Sequence, residues 1–329
     1  MKRIVTVLLL GSLLLSLCGC RKTKQEYSAT QLLLDTAVQI TLQSGGSEEI
    51  LQECFALCKK YEQLFSTTLP DSDIARINAA GGAPVRVANE TAELLRLACA
   101  YSRESEGVFD LTVYPVKQLW DFKAQQPRLP NAEKLSAAAA TIDYTHVALE
   151  GNTVTVTGGS QIDLGGIAKG YIADRLCEYL KQKKVDCAVI NLGGNVCCVG
   201  TKEGGFRIGI KQPYSANQTL KILQIDGGSV VTSGCYERYF TIDNKEYHHI
   251  LDTKTGYPVE NNLASVTILS DDSALADFLS TAVYAMGYEK GLEFLKAYPA
   301  EAVFVFRDNS TRLSDGLQYA EENTILMQS

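Results

Sequence analysis

Apolar residues recur at helical spacing in four long stretches of the chain and predict its main helices. In each stretch the apolar side chains return every three or four residues, which places them on one face of a helix. The predicted helices are residues 48–65, 89–107, 167–180 and 274–286. Asn89 is the expected N-cap of the second helix, and Asp272 or Ser273 is that of the fourth, which Gly287 should end.

Shorter apolar runs between these helices predict strands. Residues 32–42 (LLLDTAVQITL) indicate one early strand, and residues 147–158 indicate a hairpin with Gly151 and Asn152 at its turn. Residues 107–116 (GVFDLTVYPV) predict a loop and a strand. Residues 123–140 predict a surface excursion followed by a short helix.

The first twenty residues are typical of an export signal. Lys2 and Arg3 precede an uncharged apolar run, residues 4–17, which is too short to span a bilayer but suits a signal-peptide core. The following LCGC resembles a bacterial lipobox with Cys20 as the lipidated residue, although an ordinary secretory leader cleaved elsewhere is the alternative. The predicted organisation is a signal peptide (1–19), a tether (20–30) and one folded domain (31–329), held by lipid on the outer face of the cytoplasmic membrane.

Charge and cysteine content limit which partners and cysteine-based sites the chain can have. The chain has 31 Lys and Arg against 38 Asp and Glu, a formal net charge of −7, which disfavours nucleic acid as a partner. Ten cysteines are present, eight of them beyond Cys20, without a C-x-x-C pair or zinc-type spacing. Buried free thiols are therefore expected, and a disulfide between two of these cysteines is the alternative.

The stretch IDLGGIAKGYIAD (162–174) is a candidate phosphate or nucleotide site. A strand ends at Leu164, two glycines follow, and a helix begins, so backbone amides at the helix start can attract an anion. Lys169 in the first turn adds a positive charge, which indicates that an anion lies nearby. Asp163 either pairs with Lys169 or holds a polar group of the ligand.

Three further stretches carry polar groups beside glycine turns. The run VINLGGNV (189–196) repeats the strand and double-glycine scheme, and VVTSGCYERYF (230–240) supplies the hydroxyls of Thr232 and Ser233. YHHILDTKTGYPV (247–259) contains His248 and His249, two of the three histidines in the chain. A structural role for this pair is the alternative to a catalytic one.

The fourth helix carries a candidate metal site. Asp277 is its only charged residue, and Thr281 lies one turn later on the same side. A lone carboxylate with a hydroxyl one turn on suits Mg²⁺, which takes oxygen ligands and binds through one or two carboxylates beside substrate phosphates. The alternative is a solvated helix face, which would normally carry Lys or Glu.

Taken together, these motifs resemble the ApbE-type flavin transferases. FSTTLPDSDIARIN, FDLTVYP, IDLGGIAKGYIAD, NLGGN, VTSGCYERYF, YHHILDTKTGYP and ADFLSTAVYAMG occur in the family's order over nearly all of the mature chain. The resemblance implies a single α+β domain of the T-fold type, with mixed and antiparallel sheets flanked by helices. It also implies Mg²⁺-dependent transfer of FMN from FAD to a threonine hydroxyl of a membrane redox subunit, with release of AMP.

Site residues follow from the resemblance at matching positions only. The main-chain carbonyl of Gly166, with Asp277 and Thr281, matches the metal ligands. His249 matches a motif histidine considered as a proton carrier, and Asp163 is the second candidate base. Positions that match FAD contacts are Leu34, Thr68, Val108, Phe109, Asp110, Asp163, Lys169 and Leu251. LLLDT stands where MGT is usual, and Thr68 stands where an aromatic residue is frequent.

Two other activities use the same residues. A Mg²⁺-dependent FAD pyrophosphatase would place water where the threonine hydroxyl attacks and would release FMN and AMP. A lipoprotein that binds FAD without turnover is the non-enzymatic alternative.

Overall fold

The large sheet is the centre of the fold. In the computed structural model, which describes residues 25–122, 124, 126–215 and 217–328, this sheet is antiparallel throughout, in the order β1-β2-β6-β7-β10-β13-β14-β15. Its strands are β1 (Tyr27–Leu33), β2 (Thr36–Ser44), β6 (Cys187–Leu192), β7 (Asn195–Gly200), β10 (Gly228–Gly234), β13 (Leu263–Ser270), β14 (Ala300–Phe306) and β15 (Thr311–Leu313). The signal peptide and Cys20 lie outside the described residues.

Three smaller sheets surround the large one. A three-stranded sheet contains β3 (Val85–Arg86), β4 (Val147–Glu150) and β5 (Thr153–Val156). A four-stranded sheet contains β8 (Phe206–Lys211), β9 (Thr219–Ile225), β16 (Leu317–Glu321) and β17 (Thr324–Met327), and its β9–β17 pair is parallel. β11 (Tyr239–Ile242) and β12 (Lys245–His248) form a separate hairpin.

Helices connect and cover the sheets. They are α1 (Glu48–Phe65), α2 (Asp73–Ala79), α3 (Asn89–Glu104), α4 (Tyr114–Trp120), α5 (Ala132–Ala139), α6 (Ala168–Gln182), α7 (Ser273–Met286) and α8 (Tyr288–Leu295). α6 packs against α7 and β7, while α7 also contacts β10 and β13. In the described part of the chain no helix is both long and apolar enough to cross a membrane.

The predicted helices are confirmed with small shifts at their ends. α1 occupies the predicted residues, and α7 begins one residue early because the Asp272 carboxylate accepts the Leu275 N–H at 2.8 Å. The predicted hairpin with Gly151 and Asn152 at its turn is also present, as β4 and β5. α3 differs at both ends, since Ala88 is its N-cap in place of Asn89 and the helix ends at Glu104.

The single early strand predicted for residues 32–42 is wrong. The chain reverses at Leu34 and Asp35, whose φ angles are +55° and +60°, and β1 pairs with β2 across this two-residue turn. Such turns normally use Asn and Gly, so the apolar run gave no turn signal. The Leu34 N–H donates to Glu62 Oε1 at 2.7 Å and holds the turn. β1 begins at Tyr27, inside the stretch predicted as a tether.

The strand predicted within residues 107–116 is also wrong. Residues from Tyr114 onward form α4, with Pro115 in the first turn, where its missing N–H costs nothing. Trp120 anchors the end of this helix, because its ring is buried and its Nε1 donates to the Gly256 carbonyl at 2.7 Å.

The cysteine pattern differs in part from the expectation of free thiols. Cys177 of α6 and Cys197 of β7 form a disulfide, which joins the helix to the large sheet. Cys54, Cys58, Cys198 and Cys235 are buried thiols as expected, and burial raises the pKa of Cys54 and Cys58 to about 12. Such thiols are inert packing groups at neutral pH.

Candidate active site

The turn into α6, residues 163–167, is called the glycine elbow here. Neither Gly165 nor Gly166 has a positive φ, so these glycines are required for space. A Cβ at Gly165 would lie 2.8 Å from Asp163 Oδ1, and one at Gly166 would lie 3.0 Å from Phe109 Cε2. A larger residue at Gly165 would therefore displace the Asp163 carboxylate, and one at Gly166 would displace the Phe109 ring.

Asp163 is held by a lysine that the sequence reasoning missed. Its side chain is 8% exposed, Lys117 Nζ of α4 lies 2.5 Å from Oδ2, and the Gly165 N–H donates to Oδ1 at 2.9 Å. Burial alone would raise the pKa of Asp163, but Lys117, the Gly165 N–H and Arg238 hold it below its ordinary value. The alternative pairing of Asp163 with Lys169 is wrong.

Lys169 pairs with the carboxylate of α7. Its Nζ lies 3.5 Å from Asp277 Oδ1 and donates to the Gly165 carbonyl at 3.4 Å. The Gly170 N–H donates to Asp277 Oδ2 at 3.0 Å. Asp277 is only 3% exposed, so the solvated-face alternative for this helix is wrong.

The three predicted metal-binding residues lie close together. A Cβ at Gly166 would lie 3.5 Å from Thr281 Oγ1, and Thr281 follows Asp277 by one turn, its hydroxyl donating to the Asp277 carbonyl at 3.4 Å. Ser233 Oγ of β10 lies 3.2 Å from Thr281 Oγ1 and adds a hydroxyl at the same place. Two elements far apart in sequence, the elbow and α7, therefore meet here.

The chemistry of this donor set fits Mg²⁺. It offers one carboxylate, one hydroxyl and a main-chain carbonyl, all oxygen ligands. The Lys169 ammonium already lies against the carboxylate, so the position accepts a positive charge. Among the described residues no three His, Cys, Asp or Glu side chains are placed to hold a metal ion, and the predicted set, with a single carboxylate, stays a prediction.

Phe109 borders the elbow, whereas Asp110 supports its own loop. The Phe109 ring packs edge-on against Phe278 of α7 with centroids 5.3 Å apart, and the preceding Val108 is partly exposed. The Asp110 carboxylate accepts the N–H groups of Thr112 at 2.8 Å and Tyr144 at 3.0 Å. Burial raises the pKa of Asp110, and these hydrogen bonds oppose that rise.

The other three residues predicted to contact FAD have no described contact with the elbow. Leu34 lies in the β1–β2 turn, and Thr68 is exposed in the loop after α1, where its N–H donates to Ser66 Oγ. Leu251 is buried and bridges to Pro258. Their roles toward FAD stay predictions.

The two histidines occupy different environments. His248 is 2% exposed, its Nε2 lies 3.0 Å from the Val259 carbonyl, and burial lowers its pKa to about 4, which fits the structural alternative. His249 is partly exposed, with Nδ1 3.3 Å from the Arg238 carbonyl. Burial lowers the pKa of His249 to about 3, and the charges of Arg238 and Lys117 act in the same direction. A neutral His249 can accept a proton.

A surface cavity of about 400 Å³ lies apart from the elbow. It runs along β12 and is lined by residues that include His248, Tyr257 and Arg307, but by none of the residues predicted to contact FAD. We place the candidate active site at the elbow because the carboxylates, lysines and hydroxyls converge there.

Asp174 of α6 positions α7 and was also missed. Its two carboxylate oxygens accept the N–H groups of Ser273 and Ala274, each at 2.9 Å, at the start of α7. One turn earlier, Gly170 allows close contact, since a Cβ there would lie 2.1 Å from the Ser273 carbonyl oxygen. No local pattern indicates this contact, because Gly170 and Asp174 lie one turn apart within α6 and α7 begins 99 residues after Asp174. α6 therefore sets where α7 presents Asp277.

Asp174→Ala should lower the free energy of unfolding by about 1–2 kcal/mol at pH 7, because two helix N–H groups lose their acceptor. Burial raises the pKa of Asp174 to about 6 from 3.8. Between these values the native state binds this proton more tightly than the unfolded chain, so wild type gains stability as the pH falls through about 6. The gap between wild type and variant should therefore widen by about 1 kcal/mol from pH 7 to pH 5.

Urea unfolding at pH 7 and pH 5 measures this gap. Asp71→Ala, at an exposed position, is the control and should show a small gap that does not widen. A gap for Asp174→Ala that narrows at pH 5 would contradict the raised pKa.

Comparisons with known proteins show that this chain is similar to one family. A family model described as the ApbE family matches residues 34–304. The FAD:protein FMN transferase of Klebsiella pneumoniae (strain 342) is 39% identical over 294 residues, covering 88% of this chain and 92% of that protein. The FAD:protein FMN transferase of Treponema pallidum (strain Nichols) is 34% identical over 325 residues, covering 91% and 90%.

Solved structures show the same fold. The ApbE protein of Thermotoga maritima has a TM-score of 0.82 at 33% identity and covers 88% of this chain and 97% of its own. The flavinyl transferase ApbE of Pseudomonas stutzeri, in its apo form, has a TM-score of 0.78 at 31% identity and covers 89% and 95%. The predicted α+β fold class is confirmed.

Proposed function

The chain belongs to the ApbE family, and we propose that it is a Mg²⁺-dependent FAD:protein FMN transferase acting on a threonine of a membrane redox subunit. The observation that carries this proposal is the meeting of Gly166, Asp277 and Thr281 beside two lysines. A carboxylate with neighbouring oxygens suits the metal, and ammonium groups suit the diphosphate of FAD. The reaction class is that of the similar FAD:protein FMN transferases.

The residues that meet at the elbow would bind the metal ion. The Gly166 carbonyl, Asp277 and Thr281 would hold Mg²⁺, which supplies positive charge to the oxygens of a bound diphosphate. Because the Gly170 N–H and Asp174 fix α7 against α6, these ligands are held in place before substrate arrives. Such preorganisation removes the cost of rearrangement during the reaction.

His249 is the better candidate for the general base. The threonine oxygen attacks the FMN phosphorus, the bond from that phosphorus to the AMP oxygen breaks, and the hydroxyl proton needs an acceptor. Asp163 is committed to Lys117 and the Gly165 N–H, so both of its carboxylate oxygens already accept hydrogen bonds. His249 is neutral, and the negative charges of bound FAD would raise its pKa toward the working range.

Membrane attachment explains how such an enzyme meets its acceptor. We propose that Cys20 carries the lipid and that the domain faces the outside of the cytoplasmic membrane. The first described strand begins at Tyr27, seven residues after Cys20 in the sequence. Two partners on one membrane have a raised effective concentration.

Mass spectrometry of a candidate redox subunit co-expressed with this protein tests the proposed activity. The expected result is FMN on one threonine of the subunit, lost when that threonine is changed to alanine. Release of FMN and AMP with an unmodified subunit would support the pyrophosphatase instead. FAD binding without either product would support the non-enzymatic alternative.

The anchor needs its own experiment. Cys20→Ser should leave the protein in the soluble fraction or uncleaved, while Cys18→Ser should still be lipidated and membrane-bound. Equal membrane binding of both variants, with no acyl chain detected on Cys20, would contradict the lipoprotein proposal.

A further inference from the structure

A second ammonium group lies at the glycine elbow and comes from a helix outside the recognised motif. Lys117 is in α4, where Val116 and Trp120 are fully buried and fix the helix. The Lys117 side chain is 40% exposed, so it extends from this anchored helix toward solvent and toward Asp163. Its position is therefore determined by the fold of α4 as well as by the ion pair.

Two lysines reach the same glycine from different helices. Lys117 Nζ would lie 3.4 Å from a Cβ at Gly165, and Lys169 Nζ donates to the Gly165 carbonyl at 3.4 Å. Gly165 presents no side chain, so both ammonium groups border the open surface of the elbow. A negatively charged ligand that contacts the elbow would meet both of them.

Among the charged groups whose interactions define the elbow, cations outnumber carboxylates. Arg238 lies near enough to lower the pKa of both Asp163 and His249. The three cations are Lys117, Lys169 and Arg238, and the two carboxylates are Asp163 and Asp277. With the metal ion bound, the excess of positive charge would increase further. A dianionic diphosphate is the part of FAD that balances such a charge.

We propose that Lys117 is a diphosphate-binding residue of the FAD site. Asp163 places the Lys117 ammonium at Gly165, from where it contacts phosphate oxygens of FAD, as is also predicted for Lys169. This inference rests on the proposed function, because it takes FAD as the ligand. A purely structural Lys117–Asp163 ion pair is the competing explanation, and it requires no phosphate contact.

Affinity measurements with the purified protein separate these explanations. Lys117→Met should weaken FAD binding by about tenfold to a hundredfold, the usual effect of losing a hydrogen bond between charged groups. Binding of riboflavin, which has no phosphate, should change less than twofold. Lys117→Arg keeps the charge and should restore FAD affinity to within about threefold of wild type.

Salt dependence gives a second measure. A charged contact to phosphate is screened by salt, so the dissociation constant of FAD should rise less steeply with NaCl in Lys117→Met than in wild type. Lys134→Met, at an exposed position of the neighbouring helix α5, is the matched control and should behave as wild type in both measurements. Thermal unfolding of each variant verifies that the fold is intact.

Two results would overturn the inference in distinguishable ways. If wild type binds FAD but Lys117→Met keeps its affinity, or loses riboflavin and FAD affinity equally, Lys117 does not bind the diphosphate. If wild type itself fails to bind FAD, the proposed function fails, and this inference fails with it.

Discussion

Replacing Asp277 with asparagine is expected to lower the rate of FMN transfer by about a hundredfold to a thousandfold. Asp277 is the only carboxylate in the predicted metal set, and asparagine removes its charge while keeping its shape. The Gly170 N–H can still donate to the remaining oxygen, so the contact between α6 and α7 should survive. The loss should therefore reflect the metal site and not the fold.

Transfer assays over a range of Mg²⁺ concentrations measure this effect. Wild type should lose activity with EDTA and regain it with Mg²⁺, whereas Asp277→Asn should need far more Mg²⁺ and reach a lower maximum. Asp272→Asn is the matched control, because it removes a charge from the N-cap of the same helix while asparagine caps as well as aspartate. Near wild-type, Mg²⁺-dependent transfer by Asp277→Asn would refute the assigned ligand set.

Replacing His249 with alanine is expected to lower the transfer rate by about a hundredfold to ten-thousandfold, the range for loss of a general base. FAD affinity should change little, since the predicted role of His249 concerns the acceptor hydroxyl. Single-turnover transfer with preloaded FAD separates this loss of chemistry from a loss of binding. His146→Gln is the control, because His146 contacts Ser160 and Asp143, neither of which is a predicted site residue.

The pH profile tests the state of His249 further. An ordinary histidine becomes protonated below about pH 6.5, but burial lowers the pKa of His249 to about 3. The free enzyme should therefore show no fall in kcat/KM near pH 6.5 that depends on this residue. A wild-type fall near pH 6.5 that disappears in His249→Gln would show that the imidazole is far more basic than this environment allows.

The glycine pair of the elbow illustrates how a sequence motif and its structural cause can differ. The double glycine of the elbow resembles a tight turn in sequence, yet neither glycine has a positive φ. The second pair, Gly193 and Gly194, does have positive φ values of +63° and +100°, and it closes the hairpin between β6 and β7. Two similar dipeptides thus serve different physical needs, space in one case and backbone conformation in the other.

Local patterns were sufficient where a helix carries its own signals. α1, α6 and α7 have long apolar stripes, and the Asp272 cap and Gly287 stop are one residue from the helix they bound. Local patterns gave wrong predictions where the turn residues were unusual, as at Leu34 and Asp35, or where a proline lies in the first turn of a helix, as at Pro115. In both places an apolar run continued across the boundary of an element.

The sequence by itself determined the family and the long helices and predicted the candidate site residues, because motifs and periodicity are properties of neighbouring positions. Only the tertiary structure decided the partners of the charges. Asp163 pairs with Lys117, 46 residues earlier, and Asp277 accepts from Gly170, 107 residues earlier. Such pairs depend on which elements the packing brings together, and the spacing of residues along a chain contains no record of that choice.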